Sequence, residues 1–104
     1  MKALALLVPL SLLAGCATPI DPAAQQVRQI APPAANDPCR FLGVVDIVGN
    51  INYWSVAEAK RDMLARVRNE VAKRGGNAYV PTATIVHGMS LSPASAQADA
   101  YACP

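Results

Sequence analysis

Charge is scarce in this chain, and aromatic side chains are scarcer. Charged residues occupy 15% of its 104 positions and aromatic ones 5%, with a single tryptophan and a single phenylalanine. Nine basic against seven acidic side chains leave a net charge of +2. That balance generates no field able to steer a polyanion, so no nucleic-acid partner is expected. Histidine occurs once, at His87. A metal site needs companions at ligand spacing, and Asp46, Asp99 and the cysteines show none, so His87 is expected to end a strand facing solvent. Ser55, Ser90, Ser92 and Ser95 lack the glycine-flanked strand–turn–helix setting of a nucleophile elbow. No acid–base pair stands out either. No catalytic residue, metal or cofactor is therefore expected. Long hydrophobic runs are also missing, because the apolar stretch at residues 3–12 is too short to cross a bilayer of roughly 30 Å as a helix.

That stretch has a different use. It follows one basic residue, Lys2, and leads into Leu13-Ala14-Gly15-Cys16. Small residues before a cysteine form a lipobox, in which residues 1–15 are a cleaved signal peptide and Cys16 receives a diacylglyceryl group. The expected anchor is lipid on Cys16, in a membrane, with removal of Lys2 leaving eight basic against seven acidic side chains. Ala17 is not the aspartate that retains enterobacterial lipoproteins at the inner membrane, so the expected location is the outer membrane, with the domain in the periplasm.

Two further cysteines remain, Cys39 and Cys103, an even pair in an exported and oxidising compartment. A disulfide between them is expected; a free catalytic or metal-binding thiol is the alternative. The bridge would close a loop of about 65 residues and, on the chain-entropy model, contribute roughly 4 kcal/mol. In so small a domain that is a large share of stability.

Residues 17–38 are rich in proline, alanine and glutamine, with Pro19, Pro22, Pro32, Pro33 and Pro38 favouring extended chain. Only residues 27–30 suggest so much as a transient helical turn. The segment reads as a flexible tether (residues 16–38 with the lipidated cysteine) that holds the domain up to about 70 Å from the membrane.

Residues 39–104 read as one domain. Residues 39–48 form a buried strand with Gly43 as a weak point or bulge. Ser55 starts a helix through a capping box with Glu58. Val56, Met63, Val67 and Val71, widened by Ala59 and Leu64, give it an apolar stripe. Asp62 with Arg66 and Glu70 with Arg74 support its outer face, and Gly75-Gly76 ends it. Residues 78–87 form a second strand, in which Pro81 requires an edge position or a bulge. Residues 88–97 are a loop, and residues 98–103 a short third strand. A right-handed β-α-β unit followed by a hairpin return brings Cys39 and Cys103 to the same end of the sheet. The expected fold is α+β: a β-α-β-β domain, a three-stranded sheet of order 1-3-2 with the helix on one face.

Cys39, Leu42, Gly43 and Val44, then Gly75, Gly76, Asn77 and Val80, then Tyr101, Cys103 and Pro104 follow the order found in a family of envelope proteins. On these residues the chain resembles the RcsF-like lipoproteins of enterobacterial envelopes and the related small lipoproteins of unknown function. The resemblance implies an outer-membrane lipoprotein with a periplasmic α+β domain, no enzymatic activity and an envelope protein partner. The family's stress sensor has four cysteines in its domain where this one has two, so location and fold are carried over and signalling is not.

The surface candidates are few. Lys60, Arg61, Arg66 and Arg68 are the candidate partner surface on the helix, with an ordinary solvated face the favoured reading. Tyr53-Trp54 is expected to pack as a staple on the helix start near Val56 and Ala59 rather than to bind a ligand. Residues 89–91 are either a sticky loop or a hairpin tip. The function expected is a non-enzymatic protein-interaction module in envelope stress sensing or maintenance; the alternative is a ligand- or metal-binding module.

Overall fold

The structure is a computed structural model and describes residues 19–85 and 93–104. Cys16 and the lipobox, His87 and residues 89–91 lie outside the described residues. Along the chain run a 3-10 turn at Pro22–Gln26, β1 (Arg28–Gln29), β2 (Arg40–Val48), α1 (Val56–Lys73), β3 (Ala78–Ile85) and β4 (Ser95–Ala102). The class is α+β, as expected. The sheet, however, has four strands in the order β1-β3-β4-β2, which corrects the three-stranded expectation. The added strand comes from the segment read as tether: Arg28 and Gln29 pair in parallel with Ala78 and Tyr79 of β3. β4 pairs antiparallel with both β2 and β3, so the latter two run parallel to each other. β4 also starts earlier than the sequence suggested, at Ser95 instead of residue 98.

Helix α1 obeys local rules closely. Ser55 is its N-cap and accepts from the Glu58 amide at 3.1 Å. Glu58 reaches back one residue further than in a standard capping box, accepting from the Trp54 amide at 2.6 Å. At the other end the Gly76 amide donates to the Val71 carbonyl and the Gly75 amide to that of Ala72. This is the Schellman arrangement, and it needs the left-handed φ of +81° that Gly75 supplies.

Between helix and sheet lies a core of Ala59, Met63, Val67 and Val71 against Val45, Tyr79 and the alanine row Ala96, Ala98 and Ala100. The small side chains of β4 let the helix approach the middle of the sheet closely. Two bulges set the phase of the outer strands. In β2 the register shifts between Phe41 and Gly43, with Gly43 at φ +122°. Leu42 and Val45, three residues apart, consequently both pack toward the helix side. In β3 the shift falls between Pro81 and Ala83, on a stretch that β1 does not cover. β2 was expected to be buried. It is instead an edge strand in which only Val45 is fully buried. The reason is that the single helix covers one face and β2's alternate side chains fall on the other.

The larger correction concerns residues 19–30. The Asn69 side chain donates to the Pro19 carbonyl and accepts from the Asp21 amide, both at 2.9 Å. Arg68 Nη2 donates to the carbonyls of Ala24 at 3.2 Å and Gln25 at 3.1 Å. Ala24 and Val27 are buried in the core, and Ile20 packs against it. The helix is thus held between the sheet and a strap, and the folded unit begins about twenty residues before Cys39. Proline-rich composition ruled out a long regular element here. It did not rule out packing, because the strap is held through its backbone groups and a few scattered apolar side chains, Ile20, Ala24 and Val27.

The expected disulfide is present. Cys39 and Cys103 lie opposite one another just beyond the Arg40–Ala102 pair, with Cα atoms 4.2 Å apart and a sequence separation of 64. That separation is typical of a close antiparallel pair.

Candidate functional site

Two features of the fold are left open toward possible partners. The first is the sheet face away from the helix. Phe41 is 54% exposed, Val44 50%, Val48 64% and Ile85 55%. Strand pairing places them on one face: Phe41 opposite Tyr101, Val44 opposite Asp99, Val48 and Ile85 both opposite Ser95. The Phe41 and Tyr101 rings meet edge to face at 5.7 Å between centroids. Asp46, Gln97 and Asp99 lie on the same face through the same register, giving an apolar field with a polar middle. Sequence reasoning missed these positions because runs of β-branched residues look the same whether a strand is covered on one face or on both.

The second is a cavity of about 250 Å³ between α1 and the outer part of β3 and β4. Met63, Leu64, Val67, Ala96 and Ala98 form its apolar wall, and Lys60, Gln29 and Tyr79 supply polar atoms. β3 bulges after Pro81 and β1 is only two residues long, so among the described residues no strand fills the space beside Thr84. Tyr79 holds its phenolic proton above the ordinary tyrosine value because it is buried, an effect that nearby Arg68 opposes.

A further concentration of polar groups is internal. Tyr53 donates a short hydrogen bond to Asp62, and Arg66 Nε donates to the same carboxylate oxygen at 2.8 Å. The Tyr53 hydroxyl accepts from the Asn50 amide at 3.1 Å. Burial, then the bond to Asp62, raises the Tyr53 pKa, and the same carboxylate raises that of Arg66. These bonds lock the loop after β2 onto the helix. Tyr53 is therefore the buried anchor of the expected staple, whereas Trp54 is 79% exposed and does not staple anything.

The four basic residues of the candidate partner surface have different fates. Arg66 is paired with Asp62, and Arg68 holds the strap. Lys60 stands at the cavity and Arg61 is exposed on the helix. The Arg74–Glu70 pair forms at 3.5 Å, and Arg74 Nη1 also donates to the Val44 carbonyl at 2.9 Å, blunting the edge of β2. Cys39 and Cys103 are consumed by the disulfide, which removes the free-thiol alternative. Among the described residues no three His, Cys, Asp or Glu side chains gather as a metal site, and no helix is long and apolar enough to cross a membrane. No protein-family model, curated protein or solved structure matches the chain.

Proposed function

We propose that this protein is a non-enzymatic envelope lipoprotein, anchored through Cys16, whose small disulfide-bonded domain binds another envelope protein. The observation that carries the reading is the uncovered sheet face with Phe41, Val44, Val48 and Ile85 at its surface. Several large apolar side chains exposed together on one sheet face suit an interaction surface. The lipobox supports membrane attachment, an even cysteine pair suits an oxidising compartment, and the likeness to the RcsF-like lipoproteins points to the outer membrane. The partner is a protein presenting apolar side chains with hydrogen-bond donors at the centre, to meet Asp46, Asp99 and Gln97. Our reading puts the contact on the sheet and not on the helix, since Arg66 and Arg68 are engaged within the chain.

Photo-crosslinking amino acids placed at Val44, Val48 and Arg61 in intact cells test this. Discrete adducts with one envelope protein from Val44 and Val48, and none from Arg61, are the expected result. Adducts of twice the chain's own mass would identify a second copy instead, and no adduct under several envelope stresses would sink the reading.

The cavity supports a second reading, a ligand-binding module. Its apolar wall with Lys60 at the side suits a small carboxylate with a hydrocarbon tail. Equilibrium dialysis against medium-chain fatty acids, with Lys60→Ala as control, decides it: retention that depends on Lys60 supports the module, and an empty domain removes it.

A further inference from the structure

The strap changes where the domain stands relative to its anchor. Read as free chain, residues 17–38 give 22 residues of spacer. With Pro19 and Asp21 bonded to Asn69, and the next residues bonded to Arg68 and paired with β3, that spacer shrinks to Ala17 and Thr18. Three peptide steps then separate the Cα of Cys16 from that of Pro19, a span of at most about 11 Å. The fully extended tether would allow about 70 Å.

We infer that the domain is seated directly on the phospholipid headgroup layer, with the helix side toward the membrane and the uncovered sheet face toward the periplasm. The inference rests on the proposed lipidation of Cys16. The occupant of the helix-side surface follows from where the strap ends, since a lipid within about 11 Å of Pro19 leaves no room for a protein between them. The local chemistry fits headgroups that carry both charges. Beside Asn69 on α1, Lys73 offers a cation to phosphate and Glu70 a carboxylate to an ammonium group, along a polar groove whose other wall is Asp46, Ile47 and Val48 of β2. Sheet and strap pack on different sides of α1. Asn69 and Arg68 meet the strap, whereas Met63, Val67 and Val71, at other angles around the helix, meet the sheet core. Seating the strap on the bilayer therefore leaves Phe41 and Val44 accessible from the aqueous side.

Neutron reflectometry of the full lipidated chain in a supported phosphatidylethanolamine–phosphatidylglycerol bilayer tests this. Protein density that begins at the headgroups is expected. The double variant Ala24→Asp/Val27→Asp, which places two carboxylates where the strap is buried, is expected to open a water-rich layer several-fold thicker than in the parent. A water-rich layer of several nanometres under the parent protein, on bilayers to which it remains attached, overturns the seating while leaving the anchor intact. Failure to attach at all, together with an N-terminal peptide lacking acyl mass, overturns the anchor and the seating with it. A variant that stays flush while its strap amides exchange hydrogen rapidly also overturns the inference, because the strap would then not set the distance.

Discussion

Asn77 and Cys103 hold each other through a two-way bond: the Asn77 side chain donates to the Cys103 carbonyl at 2.7 Å and accepts from the Cys103 amide at 2.8 Å. The side-chain amide thereby acts as one more residue of β-sheet and continues the ladder past the end of β4. The Asn77 backbone is used as well, its amide donating to Tyr101 and its carbonyl accepting from Arg28 at the head of β1. One residue joins the C-terminal strand, the disulfide and the strap. Asn77→Ala leaves both Cys103 groups without these partners, and a lost pair of this kind costs about 1–3 kcal/mol. For a domain of this size the melting temperature should fall by several degrees. A melt coincident with the parent's would show that water replaces the side chain without loss.

Reduction of the Cys39–Cys103 bridge should have a larger effect. The bridge closes a loop spanning 64 positions, worth roughly 4 kcal/mol on the chain-entropy model, and it ties edge strand β2 to the centre of the sheet. Cys39→Ser is expected to lower the urea midpoint markedly and to make the domain sensitive to proteolysis. Mass spectrometry of the untreated protein should find both cysteines in one linked peptide. Equal melting of oxidised and reduced protein would show that the staple is unimportant.

What could be read from the residues, and what could not, divides along physical lines. Helix α1 was legible because its signals are side-chain signals at fixed offsets: Ser55 and Glu58 at one end, Gly75 at the other, and a stripe from Ala59 to Val71 between them. The bulges were legible from Gly43, whose missing side chain permits a positive φ, and from Pro81, which cannot donate to a ladder. The strap was not. Its bonds are donated by Arg68 and Asn69 to backbone carbonyls, which every residue has, and its buried Ala24 looks like any alanine in a linker. Among the helix charges the role of Arg68 was hidden likewise, because a guanidinium that reaches solvent and one that grips a carbonyl have the same sequence, whereas the Asp62–Arg66 and Glu70–Arg74 pairs were legible from their spacing. The open sheet face was hidden for a related reason: β2's apolar run does not say how many layers cover it.

The strap also makes the domain boundary measurable. A soluble form beginning at residue 19 keeps Ala24, Val27 and β1; one beginning at residue 31 loses them and exposes Ala65, which is buried in the intact chain. Burial of a valine side chain alone is worth about 1.5–3 kcal/mol, before the hydrogen bonds of β1 are counted. The shorter form should therefore unfold at a clearly lower urea concentration and show faster hydrogen exchange along β3. Equal midpoints for the two forms would return residues 19–30 to the status of a tether.

Alkaline pH should loosen the domain through its two buried phenols. Tyr53 and Tyr79 both hold their protons above the ordinary tyrosine range, Tyr53 through burial and then its bond to Asp62, Tyr79 through burial. A raised folded-state pKa means that the folded chain keeps protons the unfolded chain has released. The resulting stability is fully present below about pH 10, where unfolded tyrosines remain neutral, and is lost as pH climbs through the folded values. Tyr53→Phe removes one of the two contributions. At pH 7 it should cost about 1–3 kcal/mol, because Asp62 loses a donor and the Asn50 amide an acceptor. Above pH 10 the gap between variant and parent should narrow, since the parent alone is losing the contribution of Tyr53. Urea midpoints of both proteins between pH 7 and pH 11 measure this directly. A gap that stays constant to pH 11 would mean that the phenol of Tyr53 does not ionise differently in the folded and unfolded chain.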